Sequence, residues 1–168
     1  MTTPATGPVA AVRMRGVHKY FGAVHANRGA EIEVASGEIH ALVGENGAGK
    51  STLMKILSGM IAPEAGTVEV GGRDVTGWST GQAIAAGVGM VHQHFMLVPV
   101  FDVTESVVLG NEPTKGPLGS FDRATARAQV VELSKKHGLQ VDPDAKIESL
   151  PVGVRQRVEI LKALYRKS

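Results

Sequence analysis

The sequence predicts an α/β fold in which a strand-rich part, residues 12–98, precedes a helical part, residues 99–168, behind a disordered tail at residues 1–11. Three observations predict it. The apolar run Ile39–Val43 stops at Gly44, the pattern of a buried strand meeting a turn. From Lys50 the spacing becomes helical, with Leu53, Ile56 and Leu57 on one face and Gly59 as stop signal. Beyond Pro99, helix caps and stops replace the short strand-like runs.

Taken in order, Met1–Ala11 is rich in Thr, Pro and Ala and lacks the apolar centre of a signal peptide. Val12–Val17 and Glu31–Val34 carry short strand patterns. Gly66–Val75 reads as a strand interrupted by a Gly71-Gly72 turn, and Val88–Val91 as a further buried strand. Thr104 is placed to cap a helix running to Leu109. Asn111–Ser120 is a Pro- and Gly-bearing loop. Asp122–His137 is helical, with Asp122 as N-cap and Gly138 as stop. Asp142-Pro143-Asp144 is a turn. Val152–Lys167 closes the chain as an amphipathic helix, with Val154, Val158, Leu161 and Leu164 or Tyr165 near one stripe.

Bulk composition narrows the function classes. Hydrophobic residues are 43% and charged residues 20% of the 168, the balance of an ordinary globular chain. Cysteine is absent, which excludes a disulfide scaffold, a thiolate zinc site and thiol catalysis. A net charge of +2 with 4% aromatics argues against nucleic acid as partner. No apolar run reaches the roughly 18 residues that cross a bilayer.

Gly44-Glu45-Asn46-Gly47-Ala48-Gly49-Lys50-Ser51-Thr52 fits the phosphate-loop pattern G-x-x-x-x-G-K-[ST]. Glycines let the backbone curl until successive N–H groups face one anion-sized hollow. The helix that begins near Lys50 aims its positive end at the same place. Lys50 is expected on the β and γ phosphates, and the Ser51 hydroxyl on Mg²⁺. An apolar run before the loop and a helix after it supply the context the pattern requires.

Three further segments carry a family resemblance: Lys19-Tyr20-Phe21-Gly22, Val91-His92-Gln93-His94-Phe95, and Leu150-Pro151-Val152-Gly153-Val154-Arg155-Gln156-Arg157. Together with the loop, and in this order, they resemble the ATP-binding subunits of ABC transporters. The resemblance implies a P-loop NTPase-type ABC ATPase core, with an antiparallel β part and a helical subdomain, incomplete at the C-terminus. It implies ATP and Mg²⁺ as cofactors. Phe21 is expected to stack on adenine, with Tyr20 as the alternative. Gln93 is expected to contact Mg²⁺ and the attacking water and to sense a transmembrane partner. Leu150–Val154 aligns with the Leu-Ser-Gly-Gly-Gln signature, but only Leu150 and Gly153 match. Pro151 stands where a serine would touch a phosphate bound by the opposite subunit. Proline is sterically at home at a helix start, whose N–H groups remain available to an anion. His92 and His94 are read as ordinary polar residues.

Glu38-Ile39-His40-Ala41-Leu42-Val43-Gly44-Glu45-Asn46-Gly47, Val91–Pro99 and Asp142–Lys146 resemble the branch serving simple-sugar and nucleoside importers. That implies coupling of ATP binding and hydrolysis to uptake, at the cytoplasmic face of the cell membrane. The partners implied are permease subunits and a second ATP-binding subunit. The family's apolar strand ending in Asp-Glu, which supplies a metal-holding aspartate and a water-polarising glutamate, is not found in these residues, so the chain reads as truncated after the signature helix. A soluble phosphate-loop enzyme such as a small-molecule kinase, a regulator acting away from membranes, and a non-functional fragment remain the alternatives. Phe95, Met96, Leu97 and Val98 form an apolar run that is either internal packing or a surface for a permease.

Overall fold

A computed structural model of the chain describes residues 9–92, 96–117 and 119–166. They fall into two compact units that divide between Val88 and Gly89.

The first unit is built on a four-stranded antiparallel sheet in the order β2-β1-β3-β4. Its strands are β1 (Val12–Phe21), β2 (Val24–Val34), β3 (Ala65–Val70) and β4 (Arg73–Asp74). The first two form one long hairpin turning at Gly22-Ala23, with Phe21 opposite Val24. Strand β1 slips register between Met14 and Val17 against β2 and between Arg15 and His18 against β3. There Gly66 of β3 sits so close to β1 that a Cβ would run into the carbonyls of Arg15 and Gly16. Below the sheet, helix α1 (Lys50–Leu57) buries Leu53 and Ile56 against Met14, Val17 and Val68. Burying each such side chain stabilises the fold by about 1.5–3 kcal/mol. Arg13 crosses from β1 to Glu33 of β2 at 2.8 Å and to Glu69 of β3 at 3.5 Å, lacing the exposed face. Helix α2 (Thr80–Ala85) follows, started by a capping box between Ser79 and Gln82.

The second unit packs three helices. Helix α3 (Val103–Val108) contributes Val103, Val107 and Val108 to the core. Helix α4 (Arg123–Lys136) contributes Ala126, Val130 and Leu133, and helix α5 (Val152–Tyr165) contributes Val158, Leu161 and Tyr165. The Asn111–Ser120 loop holds one arm of a small hairpin, β5 (Thr114–Lys115) with β6 (Ser120–Phe121). Polar contacts fix the helix ends. Arg123 reaches the buried carboxylate of Asp102 at 2.7 Å and Glu105 at 3.2 Å, while Arg127 reaches Asp144 at 2.7 Å.

Several expectations need correction. Ile39–Val43 and Val88–Val91 are not strands. Ile39 is 99% and Val43 89% exposed. An apolar run becomes a strand only where a neighbour takes up its N–H and C=O groups, and among the described residues no strand lies beside either run. Thr104 is not the cap of α3; Asp102 is, in a capping box with Glu105. The Thr104 hydroxyl is buried and donates instead to Pro143 O at 2.9 Å. The hairpin strands run further than Val17 and begin earlier than Glu31. Ala10 and Ala11, placed in the tail, pack onto the first unit just before β1: Ala10 is buried and Ala11 O accepts from the Gly71 N–H at 3.0 Å.

Candidate functional site

The loop Gly44–Thr52 lies on the surface of the first unit and feeds directly into α1. Gly49 is the N-cap of that helix, at φ 84°, a left-handed conformation that suits glycine. The fit is tight as well as left-handed: a Cβ at this position would run into Ala26 O and come within 2.6 Å of Asn27 Nδ2. Strand β2 therefore holds the loop from behind. Asn27 Nδ2 donates to Gly49 O at 3.2 Å, and that carbonyl also accepts from the Leu53 N–H at 2.9 Å.

The front of the loop is an anion seat. Helix α1 starts with no side-chain cap and no acidic residue in its first turn. Among the described residues nothing accepts from the N–H groups of Lys50, Ser51 and Thr52. The Lys50 ammonium folds back over the loop and donates to Gly44 O and Glu45 O, both at 2.7 Å. A phosphate oxygen carries a full negative charge where a carbonyl carries only a dipole, so Lys50 gains by exchanging one for the other. Gly44, Asn46, Gly47 and Ala48 are exposed around this seat, Ser51 is exposed in the first turn of α1, and Thr52 is half-buried. These residues fit a polyphosphate. They also fit Mg²⁺, which binds through one or two protein oxygens together with phosphate and water. Among the described residues no group of three or more His, Asp or Glu side chains could hold a metal alone.

At the hairpin tip, Phe21 is 50% exposed. Tyr20 is committed elsewhere: its ring stacks on His25 at 4.0 Å between centroids, and its N–H donates to Glu64 Oε2 at 3.1 Å. His25 Nε2 lies 3.0 Å from His18 Nδ1. Among the described residues Phe21 stacks on no other ring, and Tyr20 itself is 45% exposed.

Gln93 and its neighbours His94 and Phe95 lie outside the described residues. In the second unit, Pro151 is the N-cap of α5 and Gly153 is exposed in its first turn, with open space where a Cβ would stand. No side chain caps that helix, and Arg155 turns back to donate to Leu150 O and Glu148 O at 2.8 Å each. The apolar run after Gln93 divides its roles. Leu97 packs against the helical core, whereas Met96 and Val100 are each 64% exposed. Glu159 of α5, 4% exposed, accepts from the Met96 N–H at 2.6 Å. Sequence reasoning missed Asn27, Glu64 and Glu159, because no short motif marks a residue that works by bonding a distant backbone group.

A family model for the ABC transporter matches residues 28–168. The chain belongs to the ABC transporter family. Within that ABC family it is 54% identical over 155 residues to the nucleoside import ATP-binding protein NupA of Lactococcus lactis subsp. cremoris, covering 92% of this chain and 30% of that protein. The guanosine import ATP-binding protein NupO of Bacillus subtilis is 48% identical over the same shares. The ribose import ATP-binding protein RbsA 3 of Rubrobacter xylanophilus is 44% identical, covering 91% of this chain and 30% of that protein. The chain thus spans about 30% of the length of these ABC relatives. A nucleotide-free ATP-binding cassette from an ABC transporter superimposes with a TM-score of 0.78 at 26% identity, covering 94% of this chain and 66% of that one.

Proposed function

We propose that this chain binds ATP with Mg²⁺ and forms the nucleotide-binding part of an ABC importer for a nucleoside or a simple sugar. The observation that carries the nucleotide reading is the loop itself: free N–H groups at the start of α1, and Lys50 held across them by two carbonyls. In this reading Gly44, Asn46, Gly47, Ala48 and Gly49 shape the seat. Lys50 neutralises the β and γ phosphates, and the N–H groups of Ser51 and Thr52 orient them. The Ser51 hydroxyl and Gln93 would hold Mg²⁺, which when bound would offset the charge of the phosphates. Phe21 receives the base on its exposed face. The Gly153 end of α5 offers unbonded N–H groups to a phosphate held by a second ATP-binding subunit.

The cargo class is supported by the relatives' own activities, which are import of nucleosides, guanosine and ribose. No helix among the described residues is long and apolar enough to cross a membrane. In this reading the chain meets permease subunits at the cytoplasmic face, with Met96 as an exposed apolar contact. Titration with a fluorescent ATP analogue tests the nucleotide reading. Lys50→Ala is expected to lower affinity at least tenfold, about 1.4 kcal/mol, and unchanged affinity overturns the assignment.

A further inference from the structure

The geometry points to Glu64 as a positioning residue for the base platform: it braces the hairpin tip so that Phe21 presents one face to the nucleotide. Glu64 lies in the connection between α1 and β3, far from Phe21 in sequence. Its N–H donates to His18 O at 3.0 Å. One carboxylate oxygen accepts from Lys19 Nζ at 2.7 Å and the other from the Tyr20 N–H at 3.1 Å. Three consecutive residues of β1, the ones leading into Phe21, are thereby tied to one side chain and its own backbone. Lys19 in turn stands 5.7 Å from the centre of the Phe21 ring, within cation–π range. The Lys19 side chain is mostly buried, so the pair with Glu64 fixes where its ammonium sits relative to the ring. Lys19 can support the ring on one face and leave the other for a base.

This brace rests on the reading of Phe21 as the stacking residue, and the test separates the two. ATP and tripolyphosphate are titrated calorimetrically against the wild-type chain, Glu64→Ala, Glu64→Gln, Phe21→Ala and the double variant Phe21→Ala with Glu64→Ala. Melting curves are recorded for each. Glu64→Ala is expected to weaken ATP about threefold to tenfold and leave tripolyphosphate unchanged, and the double variant is expected to bind no worse than Phe21→Ala alone, since residues that act through one bonded network are non-additive. Glu64→Gln keeps an acceptor for the Tyr20 N–H but loses the charge that holds Lys19. It is expected to fold like the wild type and still weaken ATP. Three results overturn the brace alone: equal losses for tripolyphosphate, fully additive losses in the double variant, or ATP loss in Phe21→Ala with none in either Glu64 variant. If Phe21→Ala itself leaves ATP binding unchanged, the stacking reading fails and the brace falls with it.

Discussion

Asn27 Nδ2 donates to Gly49 O at 3.2 Å, so a strand residue holds the carbonyl that also accepts the Leu53 N–H, the first intrahelical bond of the phosphate-loop helix. Gly49→Ala tests how closely that contact is set. An alanine there meets Ala26 O and Asn27 Nδ2 and must adopt φ 84°. Left-handed backbone alone costs a non-glycine residue about 1–2 kcal/mol. The expected outcome is a melting temperature lower by several degrees, with tripolyphosphate and ATP weakened alike. A variant that melts and binds like the wild type shows that the loop can relax away from β2.

Phe21→Ala should discriminate between ligands. Base stacking contributes about 1–3 kcal/mol, so ATP and GTP should both lose roughly fivefold to a hundredfold while tripolyphosphate competes as before. Equal loss of tripolyphosphate would mean that Phe21 supports the hairpin rather than the base.

Asp102 carries two duties in the helical unit, capping α3 through the Glu105 N–H at 2.8 Å and pairing with Arg123 at 2.7 Å. A lost N-cap costs about 1 kcal/mol, and Asp102 is only 2% exposed. Asp102→Ala is expected to lower stability by about 2 kcal/mol in urea unfolding, with Asp102→Asn falling between it and the wild type because the amide oxygen can still cap. Equal midpoints for all three would remove both duties.

Acid should loosen the hairpin tip before it affects the carboxylates. Burial holds His25 below its ordinary value of 6.5, and the neighbouring His18 and Arg28 push the same way, against a smaller opposite pull from the Asn27 backbone. Glu64, the acid nearby, is engaged with Lys19 and Tyr20. A histidine depressed in the folded state takes up its proton more readily in the unfolded chain. The contribution is therefore complete above pH 6.5 and is lost as pH falls below it. The carboxylates of Glu33, Glu64 and Asp144 are held low chiefly by bonds from Arg13, Lys19 and Arg127, so their contribution is present above the ordinary carboxylate range and fades only below it. Melts recorded from about pH 8 to about pH 5 should show a slope that His25→Gln flattens. An identical slope in the variant assigns it to another group.

The phosphate loop was legible because its function is written in local spacing: Gly44 to Thr52 needs no distant residue to be recognised. The helices α4 and α5 were legible for the same reason, through Asp122, Gly138 and the Val158–Leu161–Tyr165 stripe. Two capping boxes, Ser79 with Gln82 and Asp102 with Glu105, were equally local and went unread. The full hairpin was obscured by Gly16 and the register slips of β1, which break the two-residue alternation. Ile39–Val43 failed differently. Hydropathy reports what a segment wants to bury, whereas strand formation depends on which neighbours are present, and that is not a property of the segment.

The bond from the Met96 N–H to Glu159, with Lys162 Nζ donating to Met96 O at 3.3 Å, has a mechanical consequence. Both backbone groups of Met96 are tethered one helical turn apart on α5, while its side chain projects outward. Leu97, set into the helical core, prevents the segment from pivoting about that tether. The segment is therefore a short lever clamped to a rod. A displacement imposed on the outward thioether would pull on these two bonds and so on α5. Since the far end of that rod is the Pro151–Gly153 turn, strain entering at Met96 has a stiff route to it.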